Sequence, residues 1–190
     1  MPTTAPLPRL VPALALLAAL LAGCASQQGG PATGAAATTS AGDAPVLAAF
    51  ANLGYYPAQL GPGLIRLDLP SNDGFASGSA EVLAPMQRSL DAVAAQFNSA
   101  LLRDWQLLVV GHADDRGSDA DNQVMSLARA TQVARYLASQ GTDPGRLQAE
   151  GRGEREPLAT NDRRYGRELN RRVELFLHRG PLPPGATAPR

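Results

Sequence analysis

The stretch 111–122, "GHADDRGSDADN", crowds four carboxylates, a histidine and an arginine into a dozen residues directly after the apolar run "LLVV". Three chemistries suit such a cluster: acid–base catalysis, a cation loop, or a pocket for a charged guest. A calcium loop of the EF-hand kind wants Gly at its sixth position and Glu at its twelfth. Counted from Asp114 those positions hold Asp119 and Met125, and counted from Asp119 the sixth is Val124, so neither start works. Zinc needs more His and Cys than His112, His178 and Cys24 supply. Neither a metal nor a cofactor is expected. Asp114 and Asp115 are neighbours at a strand end and point to opposite sides, which makes them a poor acid–base pair. The chain also lacks a G-x-S-x-G nucleophile turn and a glycine-rich phosphate loop, and no enzyme is expected. In the third reading Asp114 faces Arg129, which lies on the following helix with Asn122 and Met125 on the same side. A carboxylate and a guanidinium across one hollow fit a zwitterion: an ammonium on Asp114, a carboxylate in the fork of Arg129. The plainer alternative is that the two pair with each other at the surface, where such a bridge contributes little. The residues by themselves leave these two readings open.

The elements that must position these groups follow from periodicity. "PVLAAFANLG" predicts a helical turn or two ending at Gly54. "GLIRLDLP" alternates apolar Leu64, Ile65, Leu67 and Leu69 with Arg66 and Asp68, a half-buried strand ending at Pro70. "SNDGFASGS" is turn chemistry. Ser79 is placed to cap a helix starting at Ala80 in which Val82, Leu83, Met86, Leu90, Val93 and Phe97 recur at helical spacing. "WQLLVV" is a strand buried on both faces. Next comes the clearest helix, "DNQVMSLARATQVARYLASQG", with Val124, Leu127, Ala130, Ala134 and Leu137 as its stripe and Gly141 as its stop. "GRLQAEG" predicts a short strand, "GEREPLATNDRRYGREL" turns with one helical turn, and "RRVELFLH" a closing strand. The alternation gives an α/β fold, a two-layer sandwich with a mixed sheet of about four strands.

The chain has 190 residues and a formal net charge of zero. It lacks the basic field that nucleic acid demands. Every basic side chain other than His is Arg, so none of these cations loses its proton inside a site. A single cysteine excludes an internal disulfide. That cysteine follows Met1–Arg9, with one positive charge, and the apolar "LVPALALLAALL", too short to span a bilayer comfortably and suited to a signal peptide. Leu21, Ala22, Gly23 and Cys24 resemble the lipobox of bacterial lipoproteins. That resemblance implies cleavage after residue 23, lipidation of Cys24 and a membrane anchor, with Ala25 favouring the outer membrane. Acyl chains contribute about 0.8 kcal/mol per buried methylene. Residues 24–44 read as a flexible tether, 45–63 as a short extension, 64–178 as the domain and 179–190 as a frayed tail.

"VVGHADDRGSDADNQVMSLARATQVARYL" closely resembles the core signature of the OmpA-like C-terminal domain, matching at Gly111, His112, Asp114, Gly117, Asn122, Ser126, Arg129, Ala130, Val133 and Leu137. "FASGSAEVLAP", "RLQAEGRGEREPLATN" and "GRELNRRVEL" match its flanking motifs in order. The resemblance implies non-covalent binding of peptidoglycan through diaminopimelate, whose free end carries an ammonium and a carboxylate on one carbon. It assigns Asp114 and Arg129 as chief ligand residues, with Asn122 and Met125 on the wall and the backbone at Ser77 and Gly78, and Arg171, as further contacts. For Arg171 and Arg172 the alternative is ion pairing with Glu168 or Glu174. The sequence departs from the family at Ala113 (usually Thr), Met125 (usually Leu) and Gly78 (often Asp or Asn). The expected protein is an outer-membrane lipoprotein, of the peptidoglycan-associated type, whose domain faces the periplasm and tethers the membrane to the wall. The alternatives are a wall-modifying hydrolase using Asp114 or Asp115, or a scaffold for envelope proteins of a Tol-like complex.

Overall fold

Alternating strands with one apolar face need helices on that face, and the chain supplies them in order. The structure, a computed structural model, describes residues 42–71 and 73–182. The signal peptide, Cys24, the tether as far as residue 41 and the tail beyond residue 182 lie outside the described residues. Within them run α1 (Ala44–Asn52), β1 (Ala58–Gly61), β2 (Leu64–Pro70), α2 (Ala84–Phe97), β3 (Trp105–Gly111), α3 (Asp119–Ser139), β4 (Leu147–Gly151), α4 (Arg164–Asn170) and β5 (Arg172–Arg179). The sheet order is β1-β2-β5-β3-β4. Only β3 and β4 are parallel, as the crossover through α3 requires; the other pairs are antiparallel.

The expected α/β sandwich with a mixed sheet is present, with five strands rather than about four. The additional strand is β1, four residues on the edge beside β2. Its sequence, "AQLG", has no alternation to announce it. The stretch 45–63 is therefore part of the fold: Val46 and Phe50 of α1 are fully buried in the main core. Asp43 is buried too. Its carboxylate accepts from the Gly63 amide at 2.8 Å and from Gln59 at 2.9 Å and pairs with Arg179 at 2.5 Å, tying the chain's entry to the end of β5.

The core lies between α1–α3 and one sheet face. Period-2 alternation puts Ile65, Leu67, Leu69, Leu107, Val109, Val173, Leu175 and Leu177 there, against Leu90, Val93 and Phe97 of α2 and Ala130, Val133 and Leu137 of α3. The opposite face carries a smaller cluster, Leu108, Val110 and Phe176, and then, toward the site, a run of charged residues.

Two helix expectations need correction. α2 starts at Ala84 with Leu83 as its N-cap, not after Ser79. A helix begun at Ala80 would hold Pro85 inside, where its ring clashes with the preceding turn; at the second helical position Pro is tolerated. Ser79 instead accepts from the Glu81 amide at 3.0 Å, and Val82 bridges to Phe75. In α3 the early apolar stripe is misplaced. Val124 and Leu127 are 69% and 43% exposed, while Asn122 and Ser126 face inward. The cause is close backbone approach. A Cβ on Gly111 would lie 2.1 Å from the Ser126 carbonyl oxygen, and one on Gly151 would lie 2.5 Å from the Leu127 amide. No large side chain fits between helix and strand ends there.

Candidate ligand-binding site

The site forms where β3, α3 and the start of β5 converge beneath the loop after β2. β3 delivers Asp114 just past its end. The Asp114 carboxylate accepts from the Arg116 amide at 3.2 Å through one oxygen and from Arg171 Nη1 at 2.6 Å through the other. α3 is fixed at its start by Ser118, whose hydroxyl oxygen accepts from the Asp121 amide at 3.1 Å, an N-cap reinforced by Asp119 and Asp121 in the first turn. Three turns on, it presents Arg129. The Arg129 guanidinium lies 5.2 Å from the Phe75 ring centroid and donates through Nε to the Ser79 carbonyl at 3.1 Å. This leaves its forked Nη end for the hollow.

That hollow is a cavity of about 590 Å³ lined by all seven residues expected from the sequence: Asp114, Arg129, Asn122, Met125, Ser77, Gly78 and Arg171. Asp114 and Arg129 do not pair with each other, which removes the plainer alternative. Asp114 pairs with Arg171 instead. For Arg171 the expected alternative partners, Glu168 and Glu174, give way to Asp114; for Arg172 the Glu174 pairing stands, at 2.8 Å. Arg129 is held below the usual guanidinium range, by burial first and by the neighbouring Arg171 charge second, with Asp114 acting in the opposite sense. The lining sets Arg116, Arg129 and Arg171 against Asp114 and Asp121, one positive charge in excess, and the hollow attracts an added anion.

Asn122 lines the cavity but spends its donors within the protein. Its Nδ2 donates to the Asp114 carbonyl at 3.0 Å and to Glu154 at 2.6 Å. It holds the loop that carries Asp114, and only its carbonyl oxygen remains for a guest. Gly78 sits at φ +65° with open space around its missing Cβ. Ser71, Phe75, Ala76, Ala113, Arg116 and Asp121 also border the cavity. Ser71 and Phe75 are border residues that the sequence does not reveal: neither carries a charge, and although Phe75 opens the motif that holds Ser77 and Gly78, nothing local aims either side chain at Asp114. Ser71 donates to the Arg171 carbonyl at 2.7 Å, and Phe75 forms the flat floor under Arg129.

The other candidates for chemistry lie elsewhere. Asp115 is exposed and outside the cavity lining, so it does not share a target with Asp114. His112 is buried, with Nε2 at 3.3 Å from Glu174. Burial alone would raise the Glu174 carboxyl, but His112 and Arg172 outweigh it and hold it at about 2. Among the described residues no group of three or more His, Cys, Asp or Glu could hold a metal ion, and no helix is long and apolar enough to cross a membrane.

Residues 74–171 match the OmpA family. Outer membrane protein A of Bordetella avium is 39% identical over 106 residues, 55% of this chain and 54% of that one, so the chain spans about half the length of that relative. The peptidoglycan-associated lipoprotein of Pseudomonas aeruginosa is 32% identical over 163 residues, 86% of this chain and 93% of that one. Among solved structures, the cell wall anchor of the T6SS from Pseudomonas aeruginosa superposes with a TM-score of 0.59 at 34% identity, covering 72% of this chain and 96% of that one.

Proposed function

The chain belongs to the OmpA family, and we propose that it binds peptidoglycan non-covalently through the diaminopimelate of the stem peptide. The observation that carries this reading is the single cavity in which Asp114, Arg129 and Arg171 converge while Arg129 keeps its forked end unpaired with Asp114. The free end of diaminopimelate offers one ammonium and one carboxylate a single carbon apart. The carboxylate lies between Arg129 and Arg171, relieving the repulsion between them. The ammonium shares Asp114 with Arg171, and the Asn122 carbonyl oxygen is beside it. Charge-assisted hydrogen bonds of this kind are the strong ones, and the cavity walls of Phe75 and Met125 strengthen them by excluding water. The similarity to the peptidoglycan-associated lipoprotein and to the cell wall anchor of the T6SS, both of Pseudomonas aeruginosa, supports this reading.

In this reading Cys24 carries the lipid, the segment between it and Asp43 spans the gap, and the domain grips the wall from the periplasmic side of the outer membrane. The test of binding is co-sedimentation with purified sacculi. The wild-type chain is expected to pellet with no release of muropeptides, and Asp114→Ala to stay in the supernatant while keeping its circular dichroism spectrum. Pelleting of Asp114→Ala with wild-type affinity refutes the site, and muropeptide release would favour a hydrolase. For the anchor, Cys24→Ser is expected to move the protein from the membrane fraction to the soluble periplasm; persistence in the membrane refutes lipidation at that residue.

A further inference from the structure

A second cavity, about 670 Å³ and larger than the charged one, opens on the other side of the loop after β2. Its walls include Tyr55, Tyr56, Asp68, Leu69, Asp73 and Met86. The two tyrosines differ in a way that packing does not require. Tyr55 is fixed: its hydroxyl donates to the Ser89 carbonyl at 2.7 Å, and its ring stands edge-on to Phe50 with centroids 6.2 Å apart. Tyr56 lines the cavity and yet is 94% exposed. Pro57 after it biases the Tyr56 backbone to extended conformations. A large ring thus stands out in solvent at the rim of a groove lined below by Leu69 and Met86.

The electrostatics of this groove are opposite to those of the charged cavity. Its ionisable lining beyond the tyrosines is Asp68 and Asp73 only, with Asp68 paired to Arg66 at 3.1 Å. It offers nothing to a carboxylate, and with Asp68 held by Arg66 its acceptor for hydroxyl and amide hydrogens is Asp73. An aromatic face, an apolar floor and a carboxylate acceptor together suit a neutral ligand with one apolar face and many O–H and N–H donors.

The two cavities are parted by one short loop. Ser71 and Phe75 border the charged cavity, and Asp73 and Gly74, between them in sequence, border the groove. The loop is pressed onto α2, since a Cβ on Gly74 would lie 2.6 Å from the Met86 methyl. A stem peptide of three residues reaches about 10 Å when extended, and the two linings meet at neighbouring residues, Ser71 and Phe75 on one side and Asp73 and Gly74 on the other.

We propose that this groove binds the N-acetylhexosamine chain from which the stem peptide hangs, with Tyr56 as the stacking platform and Asp73 as an acceptor for sugar hydroxyls. The inference rests on the diaminopimelate reading of the charged cavity. One polymer then occupies both cavities, charged end on one side of the loop and sugar on the other.

The test is calorimetric titration of the full chain with two probes: the stem tripeptide ending in diaminopimelate, and the disaccharide-tripeptide that carries the same peptide. Wild type is expected to bind the sugar-bearing probe about five-fold more tightly, the scale of one aromatic contact plus a hydrogen bond. Tyr56→Ala and Asp73→Asn are expected to bring that probe down toward the tripeptide and to leave the tripeptide itself unchanged; Tyr56→Phe keeps the gain, because stacking does not need the hydroxyl. Equal affinity of wild type for both probes overturns the groove while sparing the charged cavity. A gain that survives Tyr56→Ala, or a loss equal for both probes, also overturns it. If wild type binds neither probe, the diaminopimelate reading falls, and this inference falls with it.

Discussion

Arg171 and Arg172 are adjacent in sequence, each holds a carboxylate, and the two pairs do opposite work. Arg171 reaches Asp114 at 2.6 Å with its side chain 31% exposed, at the wall of an open cavity. Arg172 reaches Glu174 at 2.8 Å with both side chains under a tenth exposed, against buried His112. The alternation of the strand accounts for the split. Arg172 and Glu174 lie two apart on the sheet face away from the main helices, whereas Arg171 precedes the strand and turns toward α3. One pair is placed where a guest can enter and share its charges. The other is shut in, and removing one partner strands the rest. The same kind of ion pair therefore lies at an open cavity wall or in a closed structural tie according to which side of the strand's start it occupies.

The contrast breaks most visibly at the buried pair. Glu174→Ala leaves Arg172 buried without its counter-charge and is expected to destabilise the fold by about 3–5 kcal/mol, read by urea denaturation. Sacculus affinity of the fraction still folded is expected to be unchanged. Arg129→Ala should give the converse: sacculus affinity reduced about thirty-fold or more, the scale of truncating one partner of a desolvated charge pair, with stability within about 1 kcal/mol of wild type. Acid titration sharpens the same point. The Glu174 carboxyl is depressed from 4.5 to about 2 in the folded state. Its stabilising contribution is therefore complete above pH 4.5 and is lost as pH falls from there toward about 2. A stability curve with no decline in that window in wild type, or with the same decline in Glu174→Gln, would contradict the assignment. The smallest effect is expected at Gly78→Asn. The left-handed backbone tolerates Asn better than most residues, the space is open, and the added amide at the rim should raise sacculus affinity by about three-fold.

Much of this was legible before any coordinates. Period-2 alternation points to β2 and β5, the continuous apolar run to β3 and helical spacing to α3, while the spacing from Asp114 to Arg129 leaves a shared hollow and a direct pair equally open until the family resemblance is added. What escaped was whatever depended on close backbone approach or on short edges. β1 is too short to alternate. The inner face of early α3 is Asn122 and Ser126 because Gly111 and Gly151 come against it, so apolar spacing pointed instead to the exposed Val124 and Leu127. The partner of Asp114 was also hidden. Arg171 lies 57 residues away, and only the antiparallel pairing that sets Gly111 opposite Val173 brings them together. Local periodicity does not carry that information.

The central claim is that this cavity holds an ammonium and a carboxylate borne on one carbon. Its most direct measurement is titration of the full chain with two stem tripeptides that differ only in the third residue, diaminopimelate in one and lysine in the other. The account predicts that lysine, which keeps the ammonium and lacks the carboxylate, binds at least about thirty-fold more weakly, and that Arg129→Ala erases most of that difference. Equal binding of the two peptides by the wild-type chain would contradict it.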